Sequence, residues 1–188
     1  MKKKVSGIIY LLAISFLTFA FGAPNTIYKT TEGHVTFSSV AEFETINASS
    51  EKLTGALDTS TQMFAFYVSN NSFVGFNSSL QQDHFNESYL ESDKNPRSFF
   101  TGKIIEQVPF EKLGVYEVRA KGKLNIHGVE QERIIKCVLT IEKDVIKVTS
   151  DFSVFLADHD ITIPKIVFEK ISPEIKIQVL ATLKPKAE

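Results

Sequence analysis

Four histidines, His34, His84, His127 and His159, are the side chains best suited to proton transfer or metal binding, and each falls on a separate stretch. No two stand at i, i+3 or i, i+4, so a metal site would have to be assembled wholly by the fold, and none is expected. Asp158 and Asp160 flank His159, a triplet that could orient an imidazole between carboxylates as a general base requires. It reads more simply as a solvated loop after a strand. The motifs Gly-x-Ser-x-Gly, Gly-x4-Gly-Lys and His-Glu-x-x-His are absent, and no catalytic residue is assigned. An enzyme working on a lipid-linked substrate through His84 or His159 remains as the catalytic alternative.

Cys137 is the single cysteine, so no disulfide can form within the chain, and its alternation with Ile135, Leu139 and Ile141 reads as a buried small apolar residue. A denser polar set lies in QQDHFNESYLESDKNPRSFFTGKI, from Gln81 to Ile104. Asp83, His84, Asn86 and Tyr89 fall there on a short helix-like segment with Leu80, Phe85 and Leu90 as its apolar side. These four could hydrogen-bond the polar end of a ligand at an opening, or satisfy each other and pin a lid. Pro96 ends the segment, since it disfavours a helical Asn95 and lacks a backbone donor, and a strand then begins.

The elements that must position this lid alternate with period two. From Val115 to Ile126, Tyr116, Val118, Ala120, Gly122, Leu124 and Ile126 alternate with Glu117, Arg119, Lys121, Lys123 and Asn125. Such a length suits a curved wall, and His127, Gly128 and Val129 make the turn out of it. Other strands are expected at 27–37, 43–48, 53–57, 63–68, 73–76, 133–141, 145–156 and 171–183, with a helical turn from a capping-box pattern at Ser39–Glu42. Both faces of 63–68 are apolar, which predicts a strand covered on both sides. Short turns make neighbours antiparallel, and closure removes edges, so the fold class expected is all-β: an up-and-down, lipocalin-like barrel of about eight strands with one short helix as lid. An immunoglobulin-like sandwich lacks its Trp and Cys pair.

HFNESYLESDKNPRSFFTGKI, with its His, acidic and Asn residues before a Pro and a Phe-x-Gly strand, resembles the signature of the YceI-like lipid-binding family. GHVTFSSVAEFETINA from Gly33 and GKLNIHGV from Gly122 resemble it as well. The resemblance implies a bacterial, exported barrel holding a polyisoprenoid or similar long apolar molecule. It points to bacterial export, so the Asn-x-Ser sites at Asn47, Asn70, Asn77 and Asn86 are treated as composition.

Thirteen of the 16 Phe lie beyond the first 23 residues. Phe64, Phe66, Val68, Phe100, Tyr116, Val118, Leu124, Phe152, Val154 and Ile177 are the expected cavity wall, while inward Ala120, Gly122, Ser150 and Ala181 leave room between them. Burial contributes about 0.8 kcal/mol per methylene and association costs at least about 4 kcal/mol, so about twenty carbons suffice for micromolar binding. An isoprenoid or quinone tail, or another long-chain lipid, fits. A fatty acid would also want a basic group inside, and the inward positions contain none. Binding needs no cofactor. The alternative function is a structural or protein-interaction barrel with a filled core.

Charge narrows the partners. Three of 21 basic residues are Lys2, Lys3 and Lys4, leaving 18 against 22 acidic ones, a balance that argues against nucleic acid. Those lysines precede an apolar run from Val5 to Phe21 and the small residues Gly22 and Ala23, the layout of a secretory signal peptide over 1–23. Residues 24–188 then form the YceI-like barrel domain, periplasmic or secreted, without a stable membrane span after cleavage. The expected partner is a long apolar small molecule, and a homodimer stays open.

Overall fold

A computed structural model describes residues 27–186. The expected leader over 1–23 lies outside the described residues. Eight strands, β1 (Ile27–Val40), β2 (Thr45–Asp58), β3 (Met63–Ser69), β4 (Arg97–Ile104), β5 (Gly114–Ile126), β6 (Val129–Glu142), β7 (Val145–Phe155) and β8 (Glu174–Pro185), form a closed antiparallel barrel. Each pairs with its neighbour in sequence, and β1 closes on β8 with Phe37 opposite Ile177. The order is up-and-down, so no strand edge is left open. Among the described residues no helix is long and apolar enough to cross a membrane.

β5 and β6 pair without interruption from Gly114↔Ile141 to Ile126↔Val129, as the clean alternation of β5 predicts. Their turn is His127–Gly128, both at positive φ (54° and 78°), the two-residue geometry whose twist matches the strands it joins. β4 and β5 approach more closely. Gly102 faces Gly122, and a Cβ at either position would lie 2.1 Å from a carbonyl oxygen of the other strand.

β1 and β2 depart from expectation. The strands expected at 43–48 and 53–57 are one continuous β2, because pairing with β1 carries through a bulged stretch around Gly33. Ser50, which breaks the apolar pattern, is buried and shares a 2.6 Å hydrogen bond with Ser72. The capping-box turn is not helical either: β1 runs through Val40, and Ala41 N–H donates to Glu44 O to close a hairpin. Segment 73–76 contributes a single bridge, Ser49↔Val74, rather than a strand.

β3 corrects a further expectation. Phe64 and Val68 are buried, but Met63 and Tyr67 on the opposite face are exposed, so the strand is covered on one side only. Two apolar faces in sequence did not mean two buried faces, since a closed barrel has one interior.

One end of the barrel is filled. Leu57, Leu139, Ile146 and Leu183 are fully buried there, and Gln62 plugs the floor by donating to Ile104 O and Glu106 O and accepting from Val108 N–H. The other end carries the β1–β2 turn, the β5–β6 turn, the long β7–β8 connection and the lid. The lid consists of α1 (Ser79–His84) followed directly by a π-helical turn at Phe85–Tyr89. Ser78 caps α1 by accepting from Gln81 N–H.

Candidate ligand cavity and its mouth

Inside the wall lies a cavity of about 560 Å³, lined by residues from all eight strands and from the lid. At about 30 Å³ for a water-sized group, it has room for about twenty methylene-sized groups. Its wall is mostly apolar because inward positions of β1 to β8 carry the alternating apolar set, such as Val35 and Phe37, Leu53 and Leu57, Ile175 and Ile177.

Of the side chains expected on the wall, Phe64, Phe66, Val68, Phe100, Leu124, Phe152, Val154 and Ile177 line the cavity. Tyr116 and Val118 do not. Both face inward, but they sit on the half of β5 nearest the filled end, where Val118 is buried in the core and Tyr116 O–H donates to Lys112 O. Cys137, opposite Val118, is half-buried on the wall, and burial followed by the Glu106 charge pushes its thiol up to about 11.

Aromatic rings both line and narrow the space. Phe64 lies 5.0 Å from Phe100 and 6.3 Å from Phe66, centroid to centroid. Nearer the mouth, Phe37, Phe73, Phe76 and Phe85 form a second cluster in which Phe37 stacks on Phe85 at 5.3 Å and 17°. Sequence reading missed this cluster, because Phe73 and Phe76 were expected on a strand that forms only a single bridge, and Phe85 only as part of the lid's own apolar side.

The lid residues divide between the two expected roles. His84 and Tyr89 line the cavity, and burial raises the Tyr89 phenol above its usual range. Asn86 instead pins the lid internally: its amide donates to Gln82 O, its side-chain oxygen accepts from Ser92 Oγ, and its carbonyl accepts from Ser92 N–H. Asp83 is exposed and off the wall. The anchor beneath is Asn70, fully buried, which donates to Asn95 O at 2.6 Å and accepts from Ser98 Oγ at 2.8 Å.

Two ionic groups at the mouth were not foreseen. Glu44 accepts from Gln81 and Asn77 of the lid at 2.6 and 3.1 Å, tying α1 to the β1–β2 turn. Lys170, from the β7–β8 connection, also lines the opening, so a basic group is present where the inward alternation of the strands showed none.

His159 is not in a solvated loop. It occupies a 3-10 turn at Leu156–His159 and is completely buried, with Nδ1 donating to Val129 O at 3.2 Å and Nε2 without a partner. Its carbonyl accepts from His127 Nδ1, and His127 Nε2 meets the Glu91 carboxylate at 3.1 Å, so this turn locks the lid's end to the β5–β6 hairpin. Lys94 and His127 hold the Glu91 carboxyl below its usual range.

Burial lowers the His159 pKa, and the Val129 carbonyl and Asp158 oppose it without reversing it. An unfolded histidine titrates near pH 6.5, so between the folded and unfolded values the unfolded chain binds the extra proton. Stability is then fully present above about pH 6.5 and is lost as pH falls toward the folded value. His159→Asn should lower the urea midpoint at pH 7 yet flatten its decline in mild acid. A decline as steep as in the unsubstituted protein would place the acid sensitivity elsewhere.

Among the described residues no group of three or more His, Cys, Asp or Glu side chains is arranged to hold a metal ion.

This geometry has relatives. The solved structures it resembles include a polyisoprenoid-binding domain from Saccharophagus degradans implicated in plant cell wall breakdown, 13% identical with a TM-score of 0.73 over 85% of this chain and 98% of that one. BcnA from Burkholderia cenocepacia is 12% identical with a TM-score of 0.65, covering 80% of this chain and 95% of that one. The YCEI protein of Campylobacter jejuni is 15% identical with a TM-score of 0.54, covering 98% and 94%. At such identities the likeness concerns the fold. No curated protein matches the chain in sequence. The model of the YceI-like domain matches residues 24–183, and the chain belongs to the YceI-like domain family.

Proposed function

We propose that the protein is an exported, non-enzymatic binding protein that sequesters or carries one isoprenoid, quinone-type or other long-chain lipid inside its barrel. The observation that carries this reading is the apolar cavity of about 560 Å³ that opens at the lid end. Its capacity of about twenty methylene-sized groups reaches the chain length at which burial outweighs the cost of association. Family membership and the polyisoprenoid-binding neighbour support the same ligand class. The signal-like layout of 1–23 supports export to the periplasm or beyond.

The rival readings draw less support. A filled-core module is at odds with the cavity, and His159, one of the two candidate acid–base residues, is buried away from the cavity wall. Native mass spectrometry and solvent extraction of the purified protein should recover a single long apolar molecule per chain. Recovery of none, together with no uptake of an apolar dye or of added lipid, would refute the carrier role.

A further inference from the structure

The open end of the barrel carries a rim of apolar side chains, from three of the four elements there, that the fold leaves uncovered. Val40 at the end of β1 and Phe43 on the β1–β2 turn are 56% and 66% exposed, Leu80 on the lid 59%, and Ile166 and Phe168 on the β7–β8 connection 91% and 59%. Single exposed apolar residues are ordinary, but several gathered on three elements at one end of a barrel mark a contact surface. These three elements are tied to one another. Phe43 N–H donates to Glu169 O, Ser172 N–H donates to Ser39 Oγ, and Gln81 and Asn77 of the lid hold Glu44 of the turn.

The ring is continuous with the cavity, since Leu80, Val167, Lys170 and Ile171 line the opening itself. A long apolar ligand that enters here must leave a lipid phase, and a mouth seated in that phase spares it passage through water. The charges at this end are mixed, Lys165 and Lys170 together with Glu42, Glu44 and Glu169, which suits a phosphate-headed surface without demanding an anionic one. Lysine stems can also lie along the acyl boundary while their ammonium groups stay at phosphate level.

The geometry points to docking of this apolar ring, Ile166 and Phe168 foremost, into the interface of a lipid bilayer, the mouth opening onto the membrane for loading and release. The inference rests on the lipid-carrier reading, extending it from the cavity to how the cavity is filled.

The chain has no Trp, so Phe168→Trp provides a single tryptophan that can be excited apart from the tyrosines. With phosphatidylcholine vesicles, its emission should shift to the blue and be quenched by brominated acyl chains. Val115→Trp, 68% exposed at the closed end, should do neither. Ile166→Ser and Phe168→Ser should each weaken vesicle partition about tenfold and slow lipid transfer, leaving the extracted lipid content unchanged. Binding should be nearly independent of salt and of added phosphatidylglycerol, because apolar burial and not net charge drives it.

If Phe168→Trp ignores vesicles while the protein still yields lipid, docking is overturned and the carrier reading stands. Vesicle binding by a protein that never holds lipid would have the opposite meaning. A dimer in solution that Ile166→Ser dissociates would assign the ring to a second copy and overturn the membrane.

Discussion

Phe100→Arg should empty the barrel of lipid and weaken lipid affinity at least a hundredfold. Phe100 lies opposite Phe66 on one side and Leu124 on the other, and its ring packs on Phe64 at 5.0 Å. All four line the cavity. Truncating the ring's contribution alone removes a contact worth about 1.5–3 kcal/mol. The guanidinium adds more, since keeping it hydrated draws water into the space a ligand must occupy, and drying it costs several kcal/mol. Each 1.4 kcal/mol is a factor of ten, so two decades is the lower bound. Met63→Arg, on the outer face of the neighbouring β3, is the control and should leave lipid content and affinity unchanged, because Met63 is 59% exposed. The comparison is made by extraction and by titration with a fluorescent lipid. Equal affinity in the two variants would mean that the ligand sits elsewhere.

The same pair of positions shows what could be read from sequence and what could not. Alternation put Phe100 and Phe64 inward because a barrel wall obeys period two wherever its ladder is regular, but it did not place Met63 outward, since both faces of that strand are apolar in sequence. β5 is such a region, and its bounds were legible from Tyr116, Val118 and Ala120, whereas Val129 was read into the turn and β6 was expected to begin only at Arg133. The pattern failed where tertiary partners override it. Ser50 and Thr30 are polar residues buried in β2 and β1, so the alternation there broke although the strands did not. Depth along the barrel was equally illegible: nothing in the spacing of Tyr116 and Val118 distinguishes a residue at the filled end from Leu124, which meets open space. The buried His159 was masked by its neighbours, for Asp158 and Asp160 look like solvated company while the ring between them points inward. Lys170 lies outside every strand, so no inward list built from strands could include it.

Gly122→Ala should be among the most destabilising substitutions of a single methyl group available in this chain. A Cβ on Gly122 would stand 2.1 Å from Thr101 O and 2.9 Å from the Gly102 Cα, and the obstacle is backbone, which cannot rotate away as a side chain can. β4 and β5 must therefore separate, lengthening ladder bonds on both sides of the contact. Overpacking of this kind costs about 1–3 kcal/mol, and the upper end applies where backbone must move. The urea midpoint should fall with the denaturant slope unchanged, the mark of lost stability within the same folded state. Gly102→Ala meets Lys121 O at 2.1 Å and should behave alike. The double variant is the sharper experiment. Once one methyl has forced the strands apart, the second enters a gap already opened, so the combined loss should fall well short of the sum of the single losses. Strict additivity would mean that each glycine meets a separate obstacle and that β4 and β5 do not share one close contact.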